Sequence, residues 1–301
     1  MSHDHHSTAN RRRLGIALAI VVVFLIVEVV GAWLTGSLAL LGDAGHMFSD
    51  ALGLVVALIA TAVAARPATD RQTYGFRRAE VFGALINGVI LAIVAIVVAI
   101  EGVRRLIAPE AVHVLAGPML AVAVAGLAAN IAAFLVLRGG RHTSINMRGA
   151  YLEVLGDMIG SIAAIVAAGV ILLTGFEQAD ALASLVIAAL IVPRAVMLLR
   201  DVVHVLSEST PPGMSVAEIR EHLLGASGVV DVHDVHVWAI TSGSPVFSAH
   251  VVVERAVFET GRTGVMLDEL GACLSDHFDV AHSTFQLEPA EHADHEEPQH
   301  P

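Results

Sequence analysis

Six long apolar runs, broken by short polar stretches, occupy the first two thirds of the chain. They cover residues 14–34, 38–64, 79–100, 114–137, 146–173 and 179–199. A helix needs about 20 mainly apolar residues to cross the hydrocarbon core of a bilayer, so the pattern predicts six transmembrane helices. The first run is too long, and too far from a small-residue cleavage pattern, for a signal peptide. Beyond residue 206 the texture changes. Residues 207–213, Ser-Glu-Ser-Thr-Pro-Pro-Gly, read as a linker. Ser215 with Glu218 three residues on is a capping-box pattern that opens a short helix to about Gly225. Residues 229–240 and 246–254 are β-branched and partly alternating, as strands are. Residues 264–278 read as a second helix and 283–288 as a third strand. The result is a polytopic α-helical membrane protein with an αββαβ domain, an open-faced α+β sandwich, at its C-terminal end.

Composition agrees. Of 301 residues, 55% are hydrophobic and 15% charged, with mean hydropathy +0.73; this excludes an ordinary soluble domain and a largely disordered chain. The formal charge of −12 is unevenly placed, with residues 1–206 near +1 and residues 207–301 at −13. An acidic polar domain argues against nucleic acid as a partner, which needs a basic footprint. The single cysteine, Cys273, rules out an internal disulfide framework and a cysteine-based zinc cage.

Arginines set the orientation. Arg11–Arg13, Arg66, Arg71, Arg77, Arg78, Arg138, Arg141, Arg148 and Arg200 fall on one side of the spans, and only Arg104 and Arg105 on the other. The positive-inside rule places both termini in the cytoplasm, with a bacterial inner membrane as the expected location. Four segments follow: a His-containing cytoplasmic tail (1–13), the membrane domain (14–206), a cytoplasmic domain (207–288) and a disordered acidic His-containing tail (289–301).

Ionisable groups inside spans are expensive and usually functional. Span 2 carries His46 and Asp50, and span 5 carries Glu153 and Asp157. Each pair is spaced i, i+4 and shares one helix face. Two such helices facing one another close a four-ligand site of one imidazole and three carboxylates, suited to a tetrahedral divalent cation such as Zn²⁺. A single buried carboxylate can instead be an interhelical hydrogen-bonder, as Glu28 and Asn87 are read here. Asp43, seven residues before Asp50, faces the same way and reads as a group behind the ligands on the proton path.

The stretch Gly36-Ser-Leu-Ala-Leu-Leu-Gly-Asp-Ala-Gly-His46-Met-Phe-Ser-Asp50 resembles the second-helix signature of the cation diffusion facilitators. Arg77-Arg-Ala-Glu-Val-Phe-Gly-Ala-Leu-Ile-Asn87 and Met147-Arg-Gly-Ala-Tyr-Leu-Glu-Val-Leu-Gly-Asp157 resemble its third and fifth. His233-Asp-Val-His-Val-Trp238 and His282-Ser-Thr-Phe-Gln-Leu-Glu288 look like its cytoplasmic domain. The resemblance runs in order over nearly the whole chain. It implies a homodimeric metal/proton antiporter of the zinc-exporting bacterial branch, with a metallochaperone-like domain that regulates and dimerises. It also implies His46, Asp50, Glu153 and Asp157 as the transport site. Zinc-type members usually have His or Asp where this chain has Glu153. Glutamate makes the site harder and weakens the exclusion of Mn²⁺, Fe²⁺ and Co²⁺. The loop between spans 2 and 3, which binds metal in some members, has Asp70 but no histidine, and no metal site is expected there.

Three carboxylates within a few ångströms in a low-dielectric site do not all stay ionised. The empty site is expected to hold protons, shared among the group, which a divalent cation displaces. Proton-coupled export of Zn²⁺, with Cd²⁺ and Co²⁺ as further ions, is the leading reading. The alternatives are the same antiporter with Mn²⁺ or Fe²⁺ as main substrate, and a metal receptor that binds without moving ions. No His-Glu-x-x-His pattern occurs and four ligands leave no open position, so the chain is not read as an enzyme. No cofactor is implied beyond the transported or bound metal. In the C-terminal domain, His233, His250 and His282 lie one on each strand and are the candidate regulatory ligands, with Glu288 ranked behind them. The −13 charge of this segment would concentrate cations and repel a dimer mate. Metal binding is expected to relieve that repulsion.

Overall fold

The computed structural model describes residues 3–108, 113–138, 145–241, 243–280 and 282–293, without the side chains of 3–14, 54, 57, 58, 61, 145–150, 152, 153, 292 and 293. Six long helices come first: α1 (His3–Thr35), α2 (Leu38–Ala64), α3 (Ala79–Ile107), α4 (Ala116–Arg138), α5 (Ile145–Thr174) and α6 (Gln178–Leu206). Among the described residues, all but α2 contain a segment long and apolar enough to cross a membrane; α2 is 27 residues long and interrupted by Asp43, His46 and Asp50. The bounds of α2 match the apolar run to the residue. Three helices run more than five residues past their runs: α1 starts at His3, α3 continues to Ile107 and α6 to Leu206. Backbone hydrogen bonding carries a helix past the bilayer edge, where hydropathy no longer marks it.

The chain divides into two compact units, residues 1–56 with 85–199, and residues 57–84 with 200–301. The first is packed mostly through alanine. Ala32, Ala39, Ala95, Ala123, Ala164, Ala167, Ala168 and Ala195 are buried together with Leu91, Met119 and Ile191, while Ile26, Ile93, Leu135 and Val166 point outward. Large apolar groups outside and small ones inside is the arrangement a lipid solvent favours, because close backbone approach rather than hydrophobic exclusion joins the helices. At Gly45 of α2 a Cβ would stand 2.7 Å from Val94 Cγ1 of α3, so any larger residue there would push the two helices apart.

The N-terminal end of α2 is clamped from a distance. Gly36, in the left-handed region at φ 69°, breaks the chain between α1 and α2. Asp180 at the start of α6 then accepts hydrogen bonds from the backbone N–H of Leu38 (2.7 Å) and Ala39 (3.2 Å) and from Ser37 Oγ (2.6 Å). Arg105 of α3 donates to the Gly36 carbonyl at 2.8 Å and to Asp180 at 3.4 Å. The unpaired N–H groups of a helix start are thus satisfied by a carboxylate from another helix. Lower on α2, Ser49 Oγ donates to Asn87 Oδ1 of α3 at 3.1 Å.

In the second unit, α7 (Val216–Leu224), β1 (Val229–Ala239), β2 (Pro245–Val253), α8 (Arg255–Glu259), α9 (Thr263–Phe278), β3 (His282–Pro289) and α10 (Ala290–Ala293) follow in order. The expected αββαβ core is present, with two short helices added. Ser215 caps α7, its hydroxyl accepting from the Glu218 N–H. The sheet order is β1-β2-β3, antiparallel between β1 and β2 and parallel between β2 and β3. Helices α7 and α9 cover one face through Ile219, Leu223, Val232, Phe247, Val251, Met266, Leu270 and Leu274, all fully buried. Helix α10 stands on residues assigned to a disordered tail, and residues 294–301 lie outside the described ones.

Candidate metal centres

On α2, His46 and Asp50 stand one turn apart and face Asp157 of α5. His46 Nε2 lies 3.7 Å from Asp50 Oδ2 and 3.6 Å from Asp157 Oδ1. One ligand atom from each of the three residues falls within 4.8 Å of the other two. Asp157 is 3% exposed. Separations near 3.7 Å are too long for good hydrogen bonds. They suit donors gathered around a cation at about 2 Å from each. Glu153 is one turn before Asp157 on α5, and its side chain lies outside the described residues.

A third helix enters the site. Arg194 of α6 grips Asp50 with two nitrogens, Nη2 to Oδ1 at 3.0 Å and Nη1 to Oδ2 at 3.2 Å. Nη1 also lies 3.4 Å from His46 Nε2. The loop count of arginines used for orientation passed over this residue, which lies inside the sixth apolar run. The rule that singled out the buried carboxylates, that a charge inside a span needs a reason, finds it equally well.

Asp43 does not join this cluster. It is buried, and its carboxylate lies against α5, where a Cβ on Gly160 would come within 2.5 Å of Oδ1. Its hydrogen-bond partners are Glu28 of α1 and Ser161 of α5. Glu28 is also buried, which places an acid pair beside the ligand site. Asn130 of α4 donates to Ser161 at 3.3 Å and extends this polar seam.

The second cluster lies on the sheet face opposite α7 and α9. Strand register sets His233 of β1 directly opposite His250 of β2, with ring centroids 5.3 Å apart. Glu288 of β3, 1% exposed, reaches both, at 2.7 Å from His250 Nδ1 and 3.8 Å from His233 Nε2. Gln286 Nε2 donates to Glu288 Oε1 at 2.8 Å and fixes the carboxylate. These three residues also offer ligand atoms within 4.8 Å of one another. An irregularity in β1 between His233 and His236 holds Asp234 at φ 50°. Its carboxylate lies 3.1 Å from His236 Nε2 and 4.0 Å from His250 Nε2.

His282 is not part of this group. It pairs with Val246, whereas His250 pairs with Gln286. Four residues of strand separate the two levels, about 13 Å. The His282 ring packs edge-on against Tyr74, with centroids 5.5 Å apart. Glu288, ranked behind the histidines from sequence, is the residue that joins the other two. Alternation along β3 puts it on the His250 face, and only the register shows that.

Two family models match the chain: the cation efflux transmembrane domain over residues 14–207 and the cation efflux protein cytoplasmic domain over residues 211–290. The chain is similar to the metal cation efflux system protein CzcD of Cupriavidus metallidurans, 40% identical over 97% of this chain and 92% of that one. It is 38% identical to the zinc transporter ZitB of Escherichia coli, over 96% of this chain and 93% of that one. It is 36% identical to a cadmium, cobalt and zinc/H(+)-K(+) antiporter of Bacillus subtilis, over 97% and 93% respectively.

Proposed function

The chain belongs to the cation efflux family, the cation diffusion facilitators, and from that premise we propose that His46, Asp50, Glu153 and Asp157 carry Zn²⁺ out of the cytoplasm in exchange for protons. The protein is a multi-pass membrane transporter for efflux of divalent metal cations. The convergence of His46, Asp50 and Asp157 from two helices is the observation that carries the site assignment.

The electrostatics give the coupling. A desolvated cluster of carboxylates holds protons when no metal is present, because crowded negative charge is unfavourable away from water. A divalent cation replaces those protons. Loading metal and releasing protons are then one event, and access alternating between the two faces turns it into antiport. Imidazole with oxygen ligands in a four-coordinate cluster favours zinc, and cadmium and cobalt are the next expected ions. The termini face the cytoplasm of a bacterial inner membrane, by the arginine distribution.

The cytoplasmic domain pairs two copies into a homodimer, and His233, His250 and Glu288 bind a regulatory metal ion. Two imidazoles and a carboxylate form a common zinc donor set. Proteoliposome uptake across Zn²⁺, Cd²⁺, Co²⁺, Mn²⁺ and Fe²⁺ tests the reading. Accumulation that continues with time and ranks zinc first supports it. Saturable binding without accumulation makes the protein a receptor, and a lead for manganese moves the assignment to a harder ion.

A further inference from the structure

Arg194 is a full charge in the middle of the sixth membrane helix, and it meets two residues of the metal-ligating set, His46 and Asp50. A guanidinium has only N–H donors. At 3.4 Å from His46 Nε2 it faces the Nε2 lone pair in the tautomer protonated at Nδ1, the one that binds metal through Nε2. The same guanidinium covers both oxygens of Asp50, at 3.0 and 3.2 Å. These are the electron pairs that a metal ion held by α2 needs. Arg194 and a bound cation thus compete for the same atoms.

The neighbouring sequence loosens the backbone that carries the side chain. Pro193 lies inside α6 immediately before Arg194. Proline lacks the N–H that would bond the Ala189 carbonyl, and its ring weakens the helix at that turn. With Arg194 paired to Asp50, the protons of the metal-free site fall to Glu153 and Asp157, so expulsion of the guanidinium and loss of those protons leave the full −3 of the ionised set to a divalent cation.

We propose that Arg194 is a tethered counter-cation of the transport site, holding Asp50 and His46 when the metal is absent and expelled by the incoming ion. The exchange weakens metal binding and thereby speeds release, which a transporter needs and a storage site does not. The inference rests on the transport-site reading above and sharpens it.

The test is zinc calorimetry on the full-length protein in nanodiscs, in a His250→Ala background that silences the cytoplasmic cluster. Arg194→Gln removes the competing charge. Zinc binding is expected to tighten about tenfold, the scale of a charge-assisted hydrogen-bond pair, and transport at saturating zinc to slow. Arg194→Lys keeps the charge without the fork and is expected to shift binding the same way by a smaller factor, about threefold. Zinc binding that is unchanged or weaker, in either variant that folds, overturns the proposal and leaves Arg194 as a prop for the ligands. Failure of the underlying site reading looks different: Asp157→Ala in the same background would then bind zinc as the parent does.

Discussion

Two groups of imidazole and carboxylate, each within 4.8 Å, occur in surroundings of opposite character. The membrane cluster sits among helices packed through alanine and is lined on one side by a guanidinium. The sheet cluster lies on a domain whose core is leucine, valine, methionine and phenylalanine, with a neutral amide as the neighbour of its carboxylate. The difference bears on what each can do. A site that already contains a cation exchanges one positive charge for another and binds reversibly. At the sheet, two histidines and one carboxylate steadied by a neutral amide, Gln286, suit an ion that stays. The packing follows the same division. Alanine-faced helices slide and rock with little loss of apolar burial, whereas a core of large interlocking side chains resists movement.

The comparison breaks most visibly at Asp157. Asp157→Ala is expected to abolish zinc flux while leaving zinc binding at the sheet cluster intact. Flux at the parent rate would remove this residue from the transport site. Glu153→His comes next. It restores a second imidazole, and the preference for zinc over manganese is expected to rise about tenfold in competition uptake; an unchanged profile would place selectivity elsewhere.

Glu288→Gln keeps the shape of the buried side chain but removes its charge. Zinc binding at the sheet cluster is expected to weaken about tenfold, with maximal flux within about twofold of the parent. A collapse of flux would mean that the sheet ion is required for transport rather than for its regulation.

The smallest effect is expected at a separate imidazole–carboxylate pair, His113 with Glu177, 3.0 Å apart with His113 almost fully exposed. The hydrogen bond His113 donates to Glu177, and then the charge of Glu177, raise the His113 pKa above its usual 6.5. A raised histidine pKa means that the contact is favourable at low pH and is lost as pH rises through the His113 midpoint. An NMR titration is expected to place that midpoint above 6.5 and to show it falling in Glu177→Gln. Transport is expected to be unaffected in that variant.

Much of this was readable in the chain because membrane solvent leaves a strong trace. Apolar runs gave six helices, and i, i+4 spacing put His46 beside Asp50 without knowledge of the fold. What escaped depends on distance in sequence. Asp180 caps a helix that begins 142 residues earlier, and no local pattern announces that. Arg194 was visible but entered only the charge total, not the search for charges inside spans. His282 and Glu288 exchanged places in the ranking because strand register, with the irregularity after His233, decides which residues share a face. Helix α8 follows β2 after a single residue, in a stretch to which the sequence pattern assigned no element.

The most direct test of the account is zinc uptake into proteoliposomes with interior pH recorded in the same vesicles. Steady zinc accumulation accompanied by proton movement in the opposite direction, both absent in Asp157→Ala, is the predicted result. Zinc accumulation with no pH response in the parent protein would contradict it, because displacement of protons by metal is the step on which the proposed coupling depends.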